Sequence, residues 1–361
     1  MINNNVYVAI MAGGIGSRFW PASRTEKPKQ FLDILGKGQT LLQQTISRFE
    51  SICPPENILI LTNKDYIHLV QEQLPQIHQK NILAEPARKN TAPCIAYAVQ
   101  KIKAENDTAI MIVVPSDHII INEEEYERTL DSAIQFCATH DALVTLGIMP
   151  TRPDTGYGYI QYEEEEYDNH VYPVKTFTEK PNKETAKQFL ESGDFLWNAG
   201  MFIWSITSIH NAFERYMPEI FDAFEEVNPS LGTPQENAAV EKAFKLCPNI
   251  SIDFGIMEKA KNVFVIPTDL GWSDIGTWAS LYVEKEKDYL DNAVTGNKVM
   301  IYDAHQNMIH VPNQKLVVIQ GLENFIVVDT EDVLLICHKE HEQQIKDITH
   351  DIKMNKGEKF L

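Results

Sequence analysis

Near the start of the chain, glycines, an arginine and a lysine are spaced as a polyphosphate would require. The run Met11-Ala12-Gly13-Gly14-Ile15-Gly16-Ser17-Arg18-Phe19-Trp20-Pro21-Ala22-Ser23 leads on to Lys27-Pro28-Lys29-Gln30-Phe31-Leu32. Glycine lets the backbone turn sharply and approach a ligand without Cβ obstruction. Amides freed in such a turn form an anion-binding concavity, to which a helix start beyond it would add partial positive charge. Arg18 then supplies a planar fork of donors and Lys29 a point charge. The apolar run Val6–Ile10 just before reads as a buried strand, so the turn opens from a strand end.

Two familiar phosphate-binding patterns fail here. A dinucleotide turn, G-x-G-x-x-G, would need glycine where Phe19 stands. A P-loop would need a hydroxyl after its Gly-Lys pair, but Gly36-Lys37 is followed by Gly38. The order G-G-x-G-[ST]-R, then P-x-S, then P-K, resembles the sugar-phosphate nucleotidyltransferases, and the ending Gln30-Phe31-Leu32 resembles their GDP-mannose-forming branch. The resemblance implies that Ala12, Gly13, Gly14, Gly16 and Ser17 hold the nucleotide, with Arg18 and Lys29 as catalytic cations.

Two carboxylates lie in segments that bear on the same chemistry. Asp117 follows the apolar run Ala109–Val114, in Pro115-Ser116-Asp117-His118, and Asp274 lies in Leu270-Gly271-Trp272-Ser273-Asp274-Ile275-Gly276-Thr277-Trp278. Magnesium (Mg2+) prefers oxygen donors and keeps several waters, so a strand-end carboxylate beside a phosphate loop suits it. Both segments resemble family motifs whose aspartates share the metal, which makes Asp117 and Asp274 the expected ligands. The alternative for Asp274 is a cap on a helix starting near Thr277.

The remaining motifs follow in the family's order. Glu85-Pro86-Ala87-Arg88-Lys89-Asn90-Thr91-Ala92-Pro93 resembles the segment at the nucleotide end, implying contacts from Glu85, Asn90 and Thr91. Arg88 and Lys89 compete as its cation, and simple N-capping by Asn90 or Thr91 is the structural alternative. Thr155-Gly156-Tyr157-Gly158-Tyr159-Ile160 is a glycine-broken aromatic strand that allows backbone approach to a hexose. With Glu179-Lys180-Pro181 and Trp197-Asn198-Ala199-Gly200, it implies that Gly158, Glu179 and Asn198 bind the sugar and that Lys180 binds its phosphate. Ser251-Ile252-Asp253-Phe254-Gly255-Ile256-Met257-Glu258-Lys259 places Asp253 beside the sugar by the same resemblance.

Bulk properties narrow the class. The chain has 361 residues, 43% of them hydrophobic, and a net charge of -19, which argues against a nucleic-acid partner. The N-terminal Met1-Ile2-Asn3-Asn4-Asn5 lacks the features of a secretory signal, and no apolar run approaches a membrane span. Cysteines 53, 94, 137, 247 and 337 are scattered without a C-x-x-C, so neither a disulfide framework nor a zinc site is expected. A reducing cytoplasm is the expected compartment.

The elements that must carry these motifs alternate. Val6–Ile10, Ile58–Leu61, Ala109–Val114 and Ala142–Gly147 read as strands, and Leu41–Phe49, Tyr66–Leu74, Ala92–Ala104 and Glu123–Thr139 as helices. The pattern predicts an α/β, Rossmann-like, mixed and mostly parallel sheet flanked by helices, with ligands at the carboxyl ends of the strands. After about residue 285 short β segments follow one another: Asn297–Tyr302, Met308–Val311, Lys315–Gln320, Phe325–Asp329 and Val333–His338, then a polar helix from about His341 to Lys353. The expected division is a catalytic domain over 1–284 and a C-terminal domain over 285–361, for which the resemblance implies a short left-handed β-helix. The family's activity would join GTP to α-D-mannose 1-phosphate, giving GDP-mannose and pyrophosphate, with a homodimer as the assembly to look for. The alternatives are a relative using another base or hexose 1-phosphate, and a non-catalytic regulatory homologue.

Overall fold

The computed structural model describes residues 2–361, which fall into two compact units. The first comprises the chain through Gly13, Ile46–Ser116 and Ile120–Trp272. The second comprises Gly14–Thr45, Asp117–Ile119 and Ser273–Leu361. This grouping differs from a linear division near residue 284. The reason is packing: Phe19, Trp20, Ile34, Leu41 and Ile119 share one core with Trp278, Ala293, Met308 and Ile326.

The first unit is built on a nine-stranded sheet. Its strands are β1 (Val6–Met11), β2 (Ile58–Asn63), β3 (Ile82–Glu85), β4 (Ile110–Pro115), β5 (Leu143–Ile148), β6 (Tyr159–Tyr162), β7 (Tyr172–Thr178), β8 (Phe195–Ser205) and β9 (Val263–Thr268). Their order is β3-β2-β1-β4-β8-β5-β9-β7-β6, with β6 also pairing β8. Pairing is parallel along β3-β2-β1-β4 and between β5 and β9, and antiparallel wherever β6, β7 or β8 takes part. The continuous apolar runs of β1, β4 and β5 are what strands covered on both faces require. The helix Glu123–Thr139 begins where sequence patterning puts it: Asn122 caps the amide of Glu125 at 3.2 Å, and three glutamates fill a first turn that favours negative charge.

The second unit holds six short strands: β10 (Ala293–Thr295), β11 (Val299–Tyr302), β12 (Met308–His310), β13 (Val317–Gln320), β14 (Phe325–Asp329) and β15 (Leu334–His338). Ala293 pairs in parallel with Met308, and Met308 with Ile326, while β11 pairs in parallel with β13. Successive coils therefore stack as in a β-helix, until the antiparallel β15 ends the stack. Inside, Ile309, Val311, Ile319 and Val327 form the apolar filling. Two fully buried asparagines tie the coils: Asn307 donates to Asn292 Oδ1 at 2.9 Å, and Asn307 Oδ1 accepts the Phe325 amide at 2.8 Å. Their remaining donors reach the carbonyls of Ala304 and Leu322, so neither buried amide is left costly and unpaired.

One local expectation fails. No helix opens after the glycine turn; Ser17–Phe19 makes a single 3-10 turn, and Pro21 and Pro28 keep the following chain irregular up to the helix Leu41–Ser47. Any anion held by this loop is therefore held by turn amides and side chains, without a helix dipole.

Candidate active site

The phosphate-loop residues of the second unit are locked from within. Gly16 takes the left-handed conformation (φ 64°), Ser23 Oγ donates to the Ile15 carbonyl at 2.9 Å, and Gln30 Nε2 donates to the Gly14 carbonyl at 2.9 Å. Ser17 is exposed and Arg18 half-buried. Among the described residues Arg18 makes no side-chain hydrogen bond, so its donors stay available to a ligand.

Lys29 lies otherwise than its spacing suggests. It is buried, 4% exposed, and its ammonium meets Asp117 Oδ2 at 2.9 Å and the carbonyls of Asp274 and Ile275, each at 2.9 Å. The Phe19 ring covers it with its centroid at 5.5 Å. A buried ammonium must find acceptors, and these three supply them. Burial works against the Asp117 carboxylate, but Lys29, with His118 beyond it, outweighs that and holds Asp117 below the usual range. The Asp274–Gly276 turn is itself strained: Ile275, β-branched and fully buried, sits at φ 38°.

Asp274 does not cap the helix Trp278–Glu284. Thr277 does, in a reciprocal box with Ser280, while Asp274 Oδ1 accepts the Gly276 amide at 2.9 Å. Asp117 and Asp274 thus both serve Lys29, one by side chain and one by backbone. Among the described residues, no three of His, Cys, Asp and Glu gather as a metal group. Two carboxylates are nonetheless a donor set that fits magnesium, which takes its other oxygens from water and substrate phosphate.

Of the residues expected at the nucleotide, Glu85, in the first unit, closes β3 and is 7% exposed. Gly13 lies so close that a Cβ there would stand 2.9 Å from Glu85 Oε1. Burial pushes the Glu85 carboxyl up to about 7, against the pull of Arg88. Arg88 itself donates to Tyr66 Oη at 2.7 Å, one of its five donors. Asn90, at φ 65°, caps the Thr91–Glu105 helix, and Thr91 Oγ1 accepts the Ile252 amide at 2.9 Å. Each side-chain oxygen thus accepts one backbone amide, while the Asn90 amide group and the Thr91 hydroxyl keep donors.

The residues expected to bind the sugar come together in the same unit. Asn198 Nδ2 donates to Asp253 Oδ1 at 2.8 Å, its Oδ1 accepts the Gly200 amide at 3.0 Å, and its own amide donates to the Gly158 carbonyl at 2.8 Å. Glu179 pairs with Lys180, which sits at φ 48°. Gly158 lets Glu179 lie close against the strand entry: a Cβ there would stand 2.5 Å from Glu179 Oε2 and would displace that carboxylate. Burial, then the charge of Glu179, pushes Asp253 up to about 6. Gly158, Glu179, Lys180, Asn198 and Asp253 thus form one cluster of hydroxyl acceptors and donors beside a cation.

Several supporting residues escaped the sequence reading. Arg152 lies over the Trp197 ring at 5.1 Å and pairs with Asp154 at 2.8 Å, whose other oxygen takes the Gly156 amide. The Tyr157 ring meets Trp197 and Trp272 at 5.0 and 5.1 Å. This cage shapes the glycine-broken strand entry. No spacing in the sequence announces it, although its aromatic residues stand inside the quoted motifs.

Comparison with known proteins decides the family. The description "Nucleotidyl transferase" matches residues 7–291. The chain belongs to the nucleotidyl transferase family. A second match, to the MannoseP isomerase/GMP-like beta-helix domain, covers 296–351 and agrees with the stacked coils. The alginate biosynthesis protein AlgA of Pseudomonas putida is 38% identical over 346 residues, 93% of this chain and 69% of that protein. A mannose-1-phosphate guanylyltransferase of Escherichia coli is 35% identical over 354 residues, 96% of this chain and 75% of its own. Among solved structures, a Thermus thermophilus protein described as a mannose-1-phosphate geranyltransferase superposes with a TM-score of 0.86 at 29% identity, covering 97% of this chain and 99% of that one. No helix among the described residues of this nucleotidyl transferase is long and apolar enough to cross a membrane.

Proposed function

We propose that the chain transfers GMP from GTP to α-D-mannose 1-phosphate, forming GDP-mannose and pyrophosphate. The observation that carries this reading is the sugar-end cluster of Gly158, Glu179, Lys180, Asn198 and Asp253, assembled in a chain whose relatives include named mannose-1-phosphate guanylyltransferases. Glu85 supports the choice of base. A buried carboxylate accepts two adjacent donors, and guanine offers them as its N1–H and 2-amino group.

In the reaction, a phosphate oxygen of the sugar phosphate attacks the α-phosphorus of GTP in line. The bond from that phosphorus to the bridging oxygen breaks, and pyrophosphate leaves with the electron pair. No enzyme nucleophile is needed, so the protein's work is alignment and charge stabilisation. Lys180 orients the attacking phosphate, Glu179 and Asn198 hold sugar hydroxyls, and Arg18 meets the charge that grows on the leaving group. Asp117 and Asp274 would hold magnesium, which supplies Lewis acidity to the triphosphate. Lys29 keeps Asp117 ionised, the form a metal ligand requires.

Phosphorus NMR of the purified chain with GTP, mannose 1-phosphate and magnesium tests this directly. The expected spectrum gains pyrophosphate and a sugar-linked diphosphate while both substrates decline in equal amounts. Release of inorganic phosphate alone, or no change, would contradict it.

A further inference from the structure

The second unit contains a set of contacts that reach from its C-terminal segment to the phosphate loop itself. Arg24, 17% exposed in its side chain, donates to Asp332 Oδ1 at 2.6 Å, to Thr330 Oγ1 at 3.2 Å and to the Pro21 carbonyl at 2.7 Å. The Arg24 and Lys27 backbones exchange two hydrogen bonds of 3.1 Å, closing the turn that delivers Pro28 and Lys29. On the other side of Pro21, the Trp20 indole donates to the Phe360 carbonyl at 2.6 Å, and the Trp20 carbonyl accepts the Trp278 indole at 3.1 Å. Phe19 meets Trp278 with ring centroids 5.0 Å apart, and both aromatics share a core with Leu335 and Ile345. Arg18 is thus flanked by residues whose positions are fixed from positions far along the chain.

We propose that the segment Thr330–Phe360 is a positioning element for the phosphate loop, acting through the Arg24–Asp332 pair and the Trp20–Phe360 hydrogen bond. Neither pair need touch substrate. Their effect is to fix the loop so that Arg18 and Lys29 stand where the proposed chemistry needs them, and the inference rests on that functional reading only for its catalytic consequence. Glu342 adds to the same device: its Oε2 accepts the Ala279 amide at 2.9 Å, holding the helix that follows the Asp274–Gly276 turn on which Lys29 is seated. The charge of Arg18 is felt at Glu342, although burial is the larger influence there and raises that carboxyl.

The test uses the full chain with Arg24→Ala, Asp332→Ala, the double variant, and Trp20→Phe, which keeps an aromatic ring but loses the indole N–H and part of the ring volume. Amide hydrogen exchange over residues 14–31 is read first, without substrate, and turnover second. Exchange in this stretch should quicken in Arg24→Ala and Asp332→Ala, with the double variant no worse than Arg24→Ala alone, as coupled partners require. Trp20→Phe should show the same loosening at smaller size. Turnover should fall about ten- to a hundredfold in Arg24→Ala, since small misplacements of catalytic groups cost that much, while KM for mannose 1-phosphate stays near wild type. Unchanged exchange over 14–31 in Arg24→Ala, or single effects that simply add, would overturn the proposal. Because exchange needs no substrate, it decides the positioning claim even if the wild-type chain released no pyrophosphate, the outcome that would sink the functional reading instead.

Discussion

The residue groups proposed to hold the sugar and the triphosphate are built in opposite ways. At the sugar end, Gly158, Asn198 and Glu179 sit at or next to strands β6, β8 and β7, and the pairing of β6 with both β7 and β8 brings them together. The sheet register does the positioning, and residues distant in sequence meet because backbones pair. At the phosphate end, Arg18, Lys29, Asp117 and Asp274 all lie outside regular strands and α-helices. There side chains position one another: Lys29 seats Asp117 and the Asp274–Gly276 turn, while Gln30 and Ser23 hold the glycine loop. A site on a sheet should tolerate loss of one polar contact. A site made of mutually seated loops should not.

The largest expected effect therefore falls on the loop cations. Arg18→Ala and Lys29→Ala should each lower turnover about a hundredfold or more, the worth of one well-placed charge at roughly 2–4 kcal/mol. They should differ in stability. Arg18→Ala should melt near wild type, whereas Lys29→Ala leaves Asp117 and two carbonyls without their cation and should melt lower. Equal melting temperatures for the two variants would break the claim that Lys29 organises the loops.

Next in size is Asp274→Asn. Asparagine keeps the acceptor for the Gly276 amide and loses the charge magnesium favours. Melting should hardly change, turnover should drop severely, and raised magnesium should restore part of it. A destabilised but active variant would assign Asp274 to turn formation alone.

The sheet-borne site should answer more mildly. Asn198→Ala leaves Asp253 and the Gly200 amide short of a partner, at about 1–3 kcal/mol, and should raise KM for mannose 1-phosphate about tenfold with KM for GTP unchanged. Lys180→Ala should lower turnover more than Asn198→Ala does, because alignment of the attacking phosphate is lost as well. If Asn198→Ala impaired GTP instead, the two ends would have been exchanged.

The smallest effect is a pH dependence at Glu85. Its carboxyl is held up at about 7 from an ordinary 4.5, so the neutral form is favoured in the folded chain. The stability this contributes is complete below about pH 4.5 and is lost as pH rises through 7. Binding guanine calls for the ionised form, so KM for GTP should rise several-fold as pH falls from 8 to 6, and Glu85→Gln should flatten that slope. A wild-type KM for GTP that is level across this range would remove Glu85 from base recognition.

Much of the sheet unit was legible because its strands are continuous apolar runs. Val6–Met11 and Ile110–Pro115 fall within a residue of where hydrophobicity alone puts them, and Glu123–Thr139 carries its cap in its sequence. The short β3 and the short β10 gave weaker patterns, since strands of three or four residues show little period. The structure brings Gly158, Glu179, Asn198 and Asp253 together from separate motifs, yet spacing carries no information on who satisfies a buried charge. Lys29 reads as an outward cation until the burial around Phe19 and Ile275 is known, and no spacing shows that the Thr91 oxygen accepts the Ile252 amide. Nor could local pattern show that loop 14–45 packs with residues beyond 273, because that depends on Phe19, Trp20 and Trp278 meeting over a long separation.

The most direct test of the central claim is a pyrophosphate-release assay that crosses GTP, ATP, UTP and dTTP with mannose 1-phosphate and glucose 1-phosphate. GTP with mannose 1-phosphate should be used best. Discrimination against the other bases should be strong, because none of them offers Glu85 two adjacent donors, and discrimination against glucose should be moderate, because the two sugars differ at one hydroxyl. Preference for dTTP or UTP with glucose 1-phosphate, or no release from any pair, would contradict it.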